Sequence, residues 1–267
     1  MNKQPTYISS LQNPKVKEWA GLLDKKLRDR TGRFLIEGVH LVQEAIACGA
    51  DLDAIVWDAE RGLPAELRAA VSGSDALLYE APQNVLAKCT GTDTPPPVFG
   101  VAAKPLPNFE TLYREGALVL VLDGLRDPGN VGTLIRSADA VGADAVVLGR
   151  GSVDLYNPKT VRSTMGSLFH LPVLEGDLAE LLPEARTRGM RIVGTSLTAE
   201  QTCYAWDWKG ATWLLLGNES NGLSPEASAY VDGTVLIPMR GRAESLNVAT
   251  AGAVLLHEAM RQRYYGL

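Results

Sequence analysis

The 267-residue sequence contains few cysteines and no long apolar run. Its three cysteines, Cys48, Cys89 and Cys203, are far apart and have no metal-ligand spacing, so they indicate reduced thiols and predict neither a disulfide framework nor a metal site. The longest apolar runs, such as residues 117–122, are much shorter than the roughly 18 residues that a membrane helix needs. The first ten residues lack the apolar core of a secretory signal. We therefore expect a cytoplasmic protein with no membrane segment and no metal.

Positive charge is also scarce, since 26 lysines and arginines stand against 31 acidic residues and give a net charge of −5. This balance argues against a general affinity for nucleic acid. The first 40 residues differ, because they hold eight lysines and arginines and only four acids. Either a solvated helix face or a phosphate-contacting surface explains such a run. Lys25, Lys26 and Arg28 are the candidate phosphate contacts within it.

Strand and helix patterns alternate along the chain and predict an α/β protein of two domains. Prolines cluster at residues 95–97 and 105–107, so we place one domain at 1–104, a linker at 105–114 and a second domain at 115–267. The predicted strands are 33–37, 54–57, 76–79, 98–102, 117–123, 145–148, 191–195, 213–216 and 234–237. The predicted helices are 13–24, 39–48, 131–141 and 245–264. This alternation indicates a mainly parallel sheet in the second domain, with its ligand site beyond the carboxyl ends of the strands.

The first segment with chemistry is residues 123–136, DGLRDPGNVGTLIR, where a buried strand passes into a helix. We place Asn130 as the N-cap of that helix, whose free N–H groups attract anions. Gly132 and Arg136 are four residues apart and share a helix face, so a phosphate could approach the backbone beside the guanidinium. The alternative is a Pro-Gly turn followed by a helix with an exposed arginine.

The second segment is residues 214–226, LLLGNESNGLSPE, in which a buried strand ends at Gly217. A glycine at a strand end lets a ligand approach the main chain closely. Glu219 at that edge could bind a hydroxyl group or orient an arginine. The alternative is a turn that leads to a helix capped by Ser224, but it leaves Asn218 and Glu219 unexplained.

The third segment is residues 235–249, VLIPMRGRAESLNVA, in which a strand ends at Ile237 and Pro238. Ser245 is expected to open the last helix, with Asn247 close to its unpaired N–H groups. Residues 248–256 are rich in small side chains, which allows close packing of another element. Without the other two segments, a capped core helix would explain this one.

Together the three segments resemble the three motifs of the SpoU-type RNA ribose methyltransferases of the SPOUT class. The matching positions are Asn130, Gly132 and Arg136; Gly217, Glu219 and Gly222; and Ile237, Pro238, Met239, Ser245, Leu246, Asn247 and Val248. The resemblance covers about 150 residues in the family's order and spacing. It implies a catalytic domain that is an α/β fold with a deep trefoil knot, and a homodimer formed through that domain.

The N-terminal part, with NPKVK at residues 13–17 and RFLIEG at 33–38, resembles the ribosomal-protein-like substrate-binding domain of these enzymes. That likeness implies structured RNA as the partner and favours ribosomal RNA over transfer RNA. It also agrees with an RNA-contacting role for Lys25, Lys26 and Arg28.

By resemblance, the cofactor is S-adenosylmethionine, held by Gly217, Ile237, Met239 and Leu246. The implied catalytic set is Arg136, Asn130, Glu219, Ser245 and Asn247. Because a guanidinium stays protonated in proteins, we assign Arg136 the stabilisation of negative charge on the ribose 2′-oxygen and leave the base open.

Other interpretations are a transfer RNA methyltransferase, a non-catalytic RNA-binding relative and a nucleotide-binding oxidoreductase. The absence of G-x-G-x-x-G disfavours the oxidoreductase. The presence of Arg136, Glu219 and Asn247 disfavours a non-catalytic relative. The modified nucleotide, and the choice between a housekeeping and an antibiotic-resistance role, stay open at this point.

Overall fold

The computed structural model describes residues 4–266, which form two compact units. The first unit consists of the described residues up to Leu106 together with Tyr156–Phe169. The second consists of Pro107–Leu155 and the described residues from His170 onward. Residues 156–169 lie inside the predicted second domain and yet group with the first unit. The predicted linker at 105–114 stays a prediction.

The described residues form strands and helices in the following bounds. The strands are β1 (Thr6–Tyr7), β2 (Arg33–Glu37), β3 (Leu52–Asp58), β4 (Leu77–Ala81), β5 (Val98–Ala103), β6 (Leu118–Asp123), β7 (Ala145–Gly149), β8 (Val173–Gly176), β9 (Arg191–Thr195), β10 (Gln201–Thr202), β11 (Thr212–Gly217) and β12 (Gly233–Leu236). The α-helices are α1 (Pro14–Gly21), α2 (Lys25–Thr31), α3 (Val39–Ala47), α4 (Arg68–Ser72), α5 (Gln83–Thr90), α6 (Pro128–Ala140), α7 (Pro158–Ser163), α8 (Leu178–Thr187), α9 (Pro225–Ser228) and α10 (Val248–Met260). No helix among the described residues is both long and apolar enough to cross a membrane.

The first unit contains a mixed five-stranded sheet in the order β1-β4-β3-β5-β2. Strands β1, β4 and β3 are parallel, and β5 is antiparallel to both of its neighbours. Helices α1 and α5 cover one face, where Trp19 contacts the rings of Tyr79 and Phe99 edge-on at centroid distances of 5.1 and 5.9 Å. The predicted helix 13–24 is wrong at its end. Asp24 instead caps α2 by accepting a hydrogen bond from the backbone N–H of Lys26 at 2.7 Å.

The second unit contains a seven-stranded, entirely parallel sheet in the order β10-β12-β9-β11-β6-β7-β8. Its central strands are buried, as their unbroken apolar runs predict. Trp213 of β11 is fully buried, and its indole N–H donates to the carbonyl oxygen of Leu112 at 3.3 Å. The two short strands β8 and β10 were not predicted. Since all strands are parallel, their carboxyl ends lie at one edge of the sheet, which is where a ligand site is expected.

The starts of two helices in this unit differ from the predictions. Asp127, not Asn130, caps α6, and its carboxylate accepts the N–H of Asn130 at 2.7 Å. Asn247, not Ser245, caps α10 by accepting the N–H groups of residues 249 and 250 at 2.9 and 3.3 Å. The side chain of Asn130 is therefore free for other contacts.

Candidate active site

The turn after β11 is built around a glycine. A Cβ on Gly217 would lie 2.2 Å from the carbonyl carbon of Gly222 and 2.3 Å from the nitrogen of Leu223. Gly222 itself has φ +69°, the left-handed conformation that favours glycine. The sequence interpretation was that Gly217 lets a ligand approach the main chain. In the structure its missing side chain makes room for the backbone of Gly222 and Leu223. This tight turn brings the polar residues 218–221 to the sheet edge.

Side chains from the three sequence segments meet in one chain of hydrogen bonds at this edge. The Asn130 amide donates from Nδ2 to Oε1 of Glu219 at 2.8 Å. The Asn247 amide donates from Nδ2 to Oδ1 of Asn130 at 3.1 Å. Residues that are 89 and 117 positions apart in the sequence are thereby joined directly.

A cavity of about 520 Å³ opens beside this chain of hydrogen bonds. The predicted site residues that line it are Gly217, Glu219, Ile237, Met239, Ser245, Leu246 and Asn247. Leu216 and Leu255 add apolar surface, and Ser196 and Glu244 add polar groups. A mostly apolar cavity with a few convergent polar groups is typical of a small-molecule site.

Arg136 lies in α6, exposed, and is not among the described residues that line the cavity. It has no hydrogen bond or ion pair with another described residue. The guanidinium is therefore available for an anionic partner. Gly132, one turn earlier in α6, is buried.

The three predicted RNA contacts are in the first unit and differ in exposure. Lys25 is exposed and pairs with Asp29 at 3.3 Å, and Lys26 is exposed without an ion pair to another described residue. Arg28 is only 2% exposed, and its guanidinium donates to the carbonyl oxygen of Leu22 at 2.6 Å. The assignment of Arg28 to RNA contact is wrong, because a buried guanidinium that holds a loop cannot reach a phosphate.

Sequence reasoning did not assign roles to two residues of the site. Asp123, at the end of β6, is buried and accepts the N–H of Ser224 at 2.6 Å. Asn218 donates to the carbonyl oxygen of Gly124 at 3.0 Å. Both are polar residues at the end of buried strands, which was the available signal.

Comparisons with known proteins agree with the geometry. The SpoU rRNA Methylase family matches residues 117–257, and the MRM3-like substrate binding domain matches residues 13–100. The chain is 37% identical over 250 residues to the 23S rRNA (guanosine(2553)-2′-O)-methyltransferase RlmP of Bacillus subtilis, covering 94% of this chain and 97% of that protein. It is 35% identical over 266 residues to the 23S rRNA (uridine(2479)-2′-O)-methyltransferase of Streptomyces viridochromogenes, covering 96% and 92%. An AdoMet-bound rRNA methyltransferase from Sinorhizobium meliloti superposes with a TM-score of 0.84 and 34% identity, over 96% of this chain and 98% of that one.

Proposed function

Because this chain belongs to the SpoU rRNA methylase family, we propose that it transfers a methyl group from S-adenosylmethionine to a ribose 2′-hydroxyl of 23S ribosomal RNA. The observation that carries the proposal is that the hydrogen bonds of Asn247, Asn130 and Glu219 join the three motif segments beside one cavity, which residues of the second and third segments line. Similarity over both units to enzymes named for 23S rRNA favours this substrate over transfer RNA.

The cavity residues fit S-adenosylmethionine. Apolar side chains such as Ile237, Leu246 and Leu255 offer surfaces for a purine ring, and the carboxylates of Glu219 and Glu244 can balance a cationic ligand. We assign Gly217, Ile237, Met239 and Leu246 to cofactor binding. When bound, the cofactor supplies a methyl group on a sulfonium, which an oxygen nucleophile can displace.

Arg136 is assigned to the RNA, where it engages a backbone phosphate and stabilises negative charge on the 2′-oxygen. Its exposure and its lack of a partner within the described residues support this role. Asn130, Glu219, Ser245 and Asn247 hold the loops and the ribose in place. Alignment of reacting groups alone can contribute on the order of 7 to 11 kcal/mol in favourable cases.

The second copy of the chain is proposed to bind the outer face of α10. Gly252 faces inward, because a Cβ there would lie 2.2 Å from the Leu134 side chain of α6. The outward residues Ala253, Val254 and His257 instead border a shallow, mostly apolar hollow of about 400 Å³. Small and apolar side chains at the surface suit a two-fold homodimer contact.

The test uses 23S rRNA from cells that lack this gene and tritiated S-adenosylmethionine. We expect label in the rRNA, followed by mapping of one new 2′-O-methyl nucleotide. The controls are transfer RNA and the rRNA of cells that carry the gene, in which the target nucleotide is already methylated. Label in transfer RNA alone would contradict the rRNA assignment, and label in neither RNA would contradict the activity.

A further inference from the structure

Two hydrogen bonds cross between the loops that follow neighbouring strands. Strands β6 and β11 end side by side, with Asp123 paired to Gly217. The Asp123 carboxylate reaches the loop after β11 and accepts the N–H of Ser224 at 2.6 Å. The Asn218 amide reaches the loop after β6 and donates to the carbonyl oxygen of Gly124 at 3.0 Å. Asp123, at the end of β6, thus holds the loop after β11, and Asn218, directly after β11, holds the loop after β6.

Asn218 also closes its own turn. Its Oδ1 accepts the N–H groups of Ser220 and Asn221 at 3.0 and 3.3 Å. Its backbone exchanges two hydrogen bonds with Gly222, both at 2.9 Å. The half-buried Asn218 side chain therefore bonds to three backbone groups, two within the turn and one on the neighbouring loop.

Glu219 is the residue that this turn presents. Its side chain is exposed, so packing does not fix its position, and it depends on the turn backbone. The carboxylate can only accept, which orients the Asn130 amide with Nδ2 toward Glu219 and Oδ1 toward Asn247. Asn247 then uses its own Oδ1 for the N–H groups at the start of α10. Every amide in the chain of hydrogen bonds has one satisfied orientation, set at one end by the Glu219 carboxylate and at the other by the N–H groups at the start of α10.

We propose that Asn218 is a positioning residue for methyl transfer. By bonding Gly124 it holds the turn in register with the loop after β6, so that Glu219 holds Asn130 and, through it, the loop that ends at Asn247. This inference rests on the proposed function, since it gives Asn218 an effect on turnover through Glu219.

The variant Asn218→Asp separates positioning from turn stability. Aspartate keeps the acceptor for Ser220 and Asn221 but replaces the donor facing the Gly124 carbonyl with a second acceptor. We expect kcat to fall about 10- to 100-fold, because a displacement near 1 Å can cost that much. The Kd for S-adenosylmethionine should stay within a few-fold, and Tm should fall by only about 2–4 °C. Asn221→Ala, in the same turn, is the matched control and should keep normal turnover.

A double-mutant cycle with Glu219→Ala tests whether Asn218 acts through Glu219. In the Glu219→Ala background, Asn218→Asp should change kcat by less than about twofold, because the group that it positions is gone. An NMR spectrum of the Asn130 side-chain amide gives a readout independent of activity, and Asn218→Asp should shift this resonance toward its position in Glu219→Ala. Normal turnover in Asn218→Asp would overturn the inference, and so would an unchanged Asn130 resonance. It would also be overturned if Asn218→Asp lowered kcat by the same factor in the Glu219→Ala background as in the unmodified chain. Failure of the unmodified chain to methylate any rRNA would contradict the proposed function instead, and the NMR arm would still decide the positioning.

Discussion

Some residues at the sheet edge are explained by packing and backbone hydrogen bonds and not by contact with a ligand. Gly217 leaves room for the backbone of Gly222, and the Asp123 carboxylate accepts a hydrogen bond from the N–H of Ser224. Both are buried or half-buried, and neither needs a ligand to account for it. Glu219 and Arg136 are exposed; Glu219 accepts the Asn130 amide, whereas Arg136 has no hydrogen bond or ion pair with another described residue.

Gly217→Ala should lower both stability and activity. The added Cβ would overlap backbone atoms at 2.2 to 2.4 Å, so the turn must move, at a cost of about 1–3 kcal/mol. Thermal unfolding and methyl transfer to 23S rRNA measure the two effects. Gly241→Ala is the control, because that Cβ would meet nothing within 4 Å and should leave Tm unchanged. Equal Tm values for Gly217→Ala and the unmodified chain would contradict the packing argument.

Arg136→Ala should abolish methyl transfer and leave the Kd for S-adenosylmethionine within a few-fold. The reason is that Arg136 lies outside the cavity lining and is assigned to the RNA. Arg136→Lys should also fail, since an ammonium cannot reproduce the planar guanidinium fork. Single-turnover assays and calorimetry separate the two quantities, with Thr133→Ala, at an exposed position of the same helix, as control. Near-normal turnover in Arg136→Lys would remove this arginine from the mechanism.

Among the elements, helix α10 contacts the site through its first turn and packs on α6 through one face. Asn247 caps its first turn and at the same time bonds Asn130, so the start of the helix is part of the site. Gly252 permits close packing on α6, against Leu134. One of the small residues noted in 248–256 thus packs against α6 within the same chain. The outward face, with Ala253 and Val254, is the surface that we propose for the contact with a second copy.

Val254→Glu should convert the proposed dimer into single chains. A carboxylate in a contact between apolar faces loses its hydration without gaining a partner. Multi-angle light scattering at micromolar concentration should give twice the chain mass for the unmodified protein and the single mass for the variant. Leu106→Glu makes the same kind of change at an apolar residue that is 94% exposed, and it should stay dimeric. A single-chain mass for the unmodified protein would refute the dimer.

At the scale of the whole molecule, chain order and compact units do not coincide. Tyr156–Phe169 belongs to the first unit, where the Arg162 guanidinium donates to the buried Glu37 carboxylate at 2.6 Å and the Tyr156 ring contacts that of Phe34. A chain truncated to begin at Asn108 would keep this segment and lose what it packs on. The role of the first unit is therefore better tested in the full chain.

Neutralising Lys25 and Lys26 together should weaken RNA binding and leave cofactor binding unchanged. Both are exposed on α2, and each phosphate contact removed should flatten the dependence of log K on log salt by roughly one unit. Filter binding of structured 23S rRNA fragments across a salt series measures the slope. Arg28→Ala is the contrasting variant, expected to lower Tm because Arg28 is buried, with the slope unchanged. An unchanged slope in the double lysine variant would contradict the RNA-contacting role of α2.

The sequence alone determined the elements whose pattern is strong and the residues whose chemistry is unusual for their place. Apolar runs predicted β6 and β11 nearly to the residue, and the predicted strand 33–37 matches β2 in full, because a short unbroken apolar run is typical of a buried strand. The three motif segments were also recognised, by their resemblance to the motifs of the SpoU-type methyltransferases. The deep trefoil knot that the resemblance implies stays a prediction.

Tertiary structure decided what local patterns leave open. A helix start depends on which of several capping residues meets the free N–H groups, so Asp127 and Asn247 displaced Asn130 and Ser245. Burial of a charged side chain depends on distant packing, which took Arg28 out of the RNA-contacting set. The hydrogen bonds among Asn130, Glu219 and Asn247 join residues about a hundred positions apart. The parallel pairing of β6 with β11 brings the loops of Asn130 and Glu219 together, and the packing of α10 on α6 brings Asn247 to them.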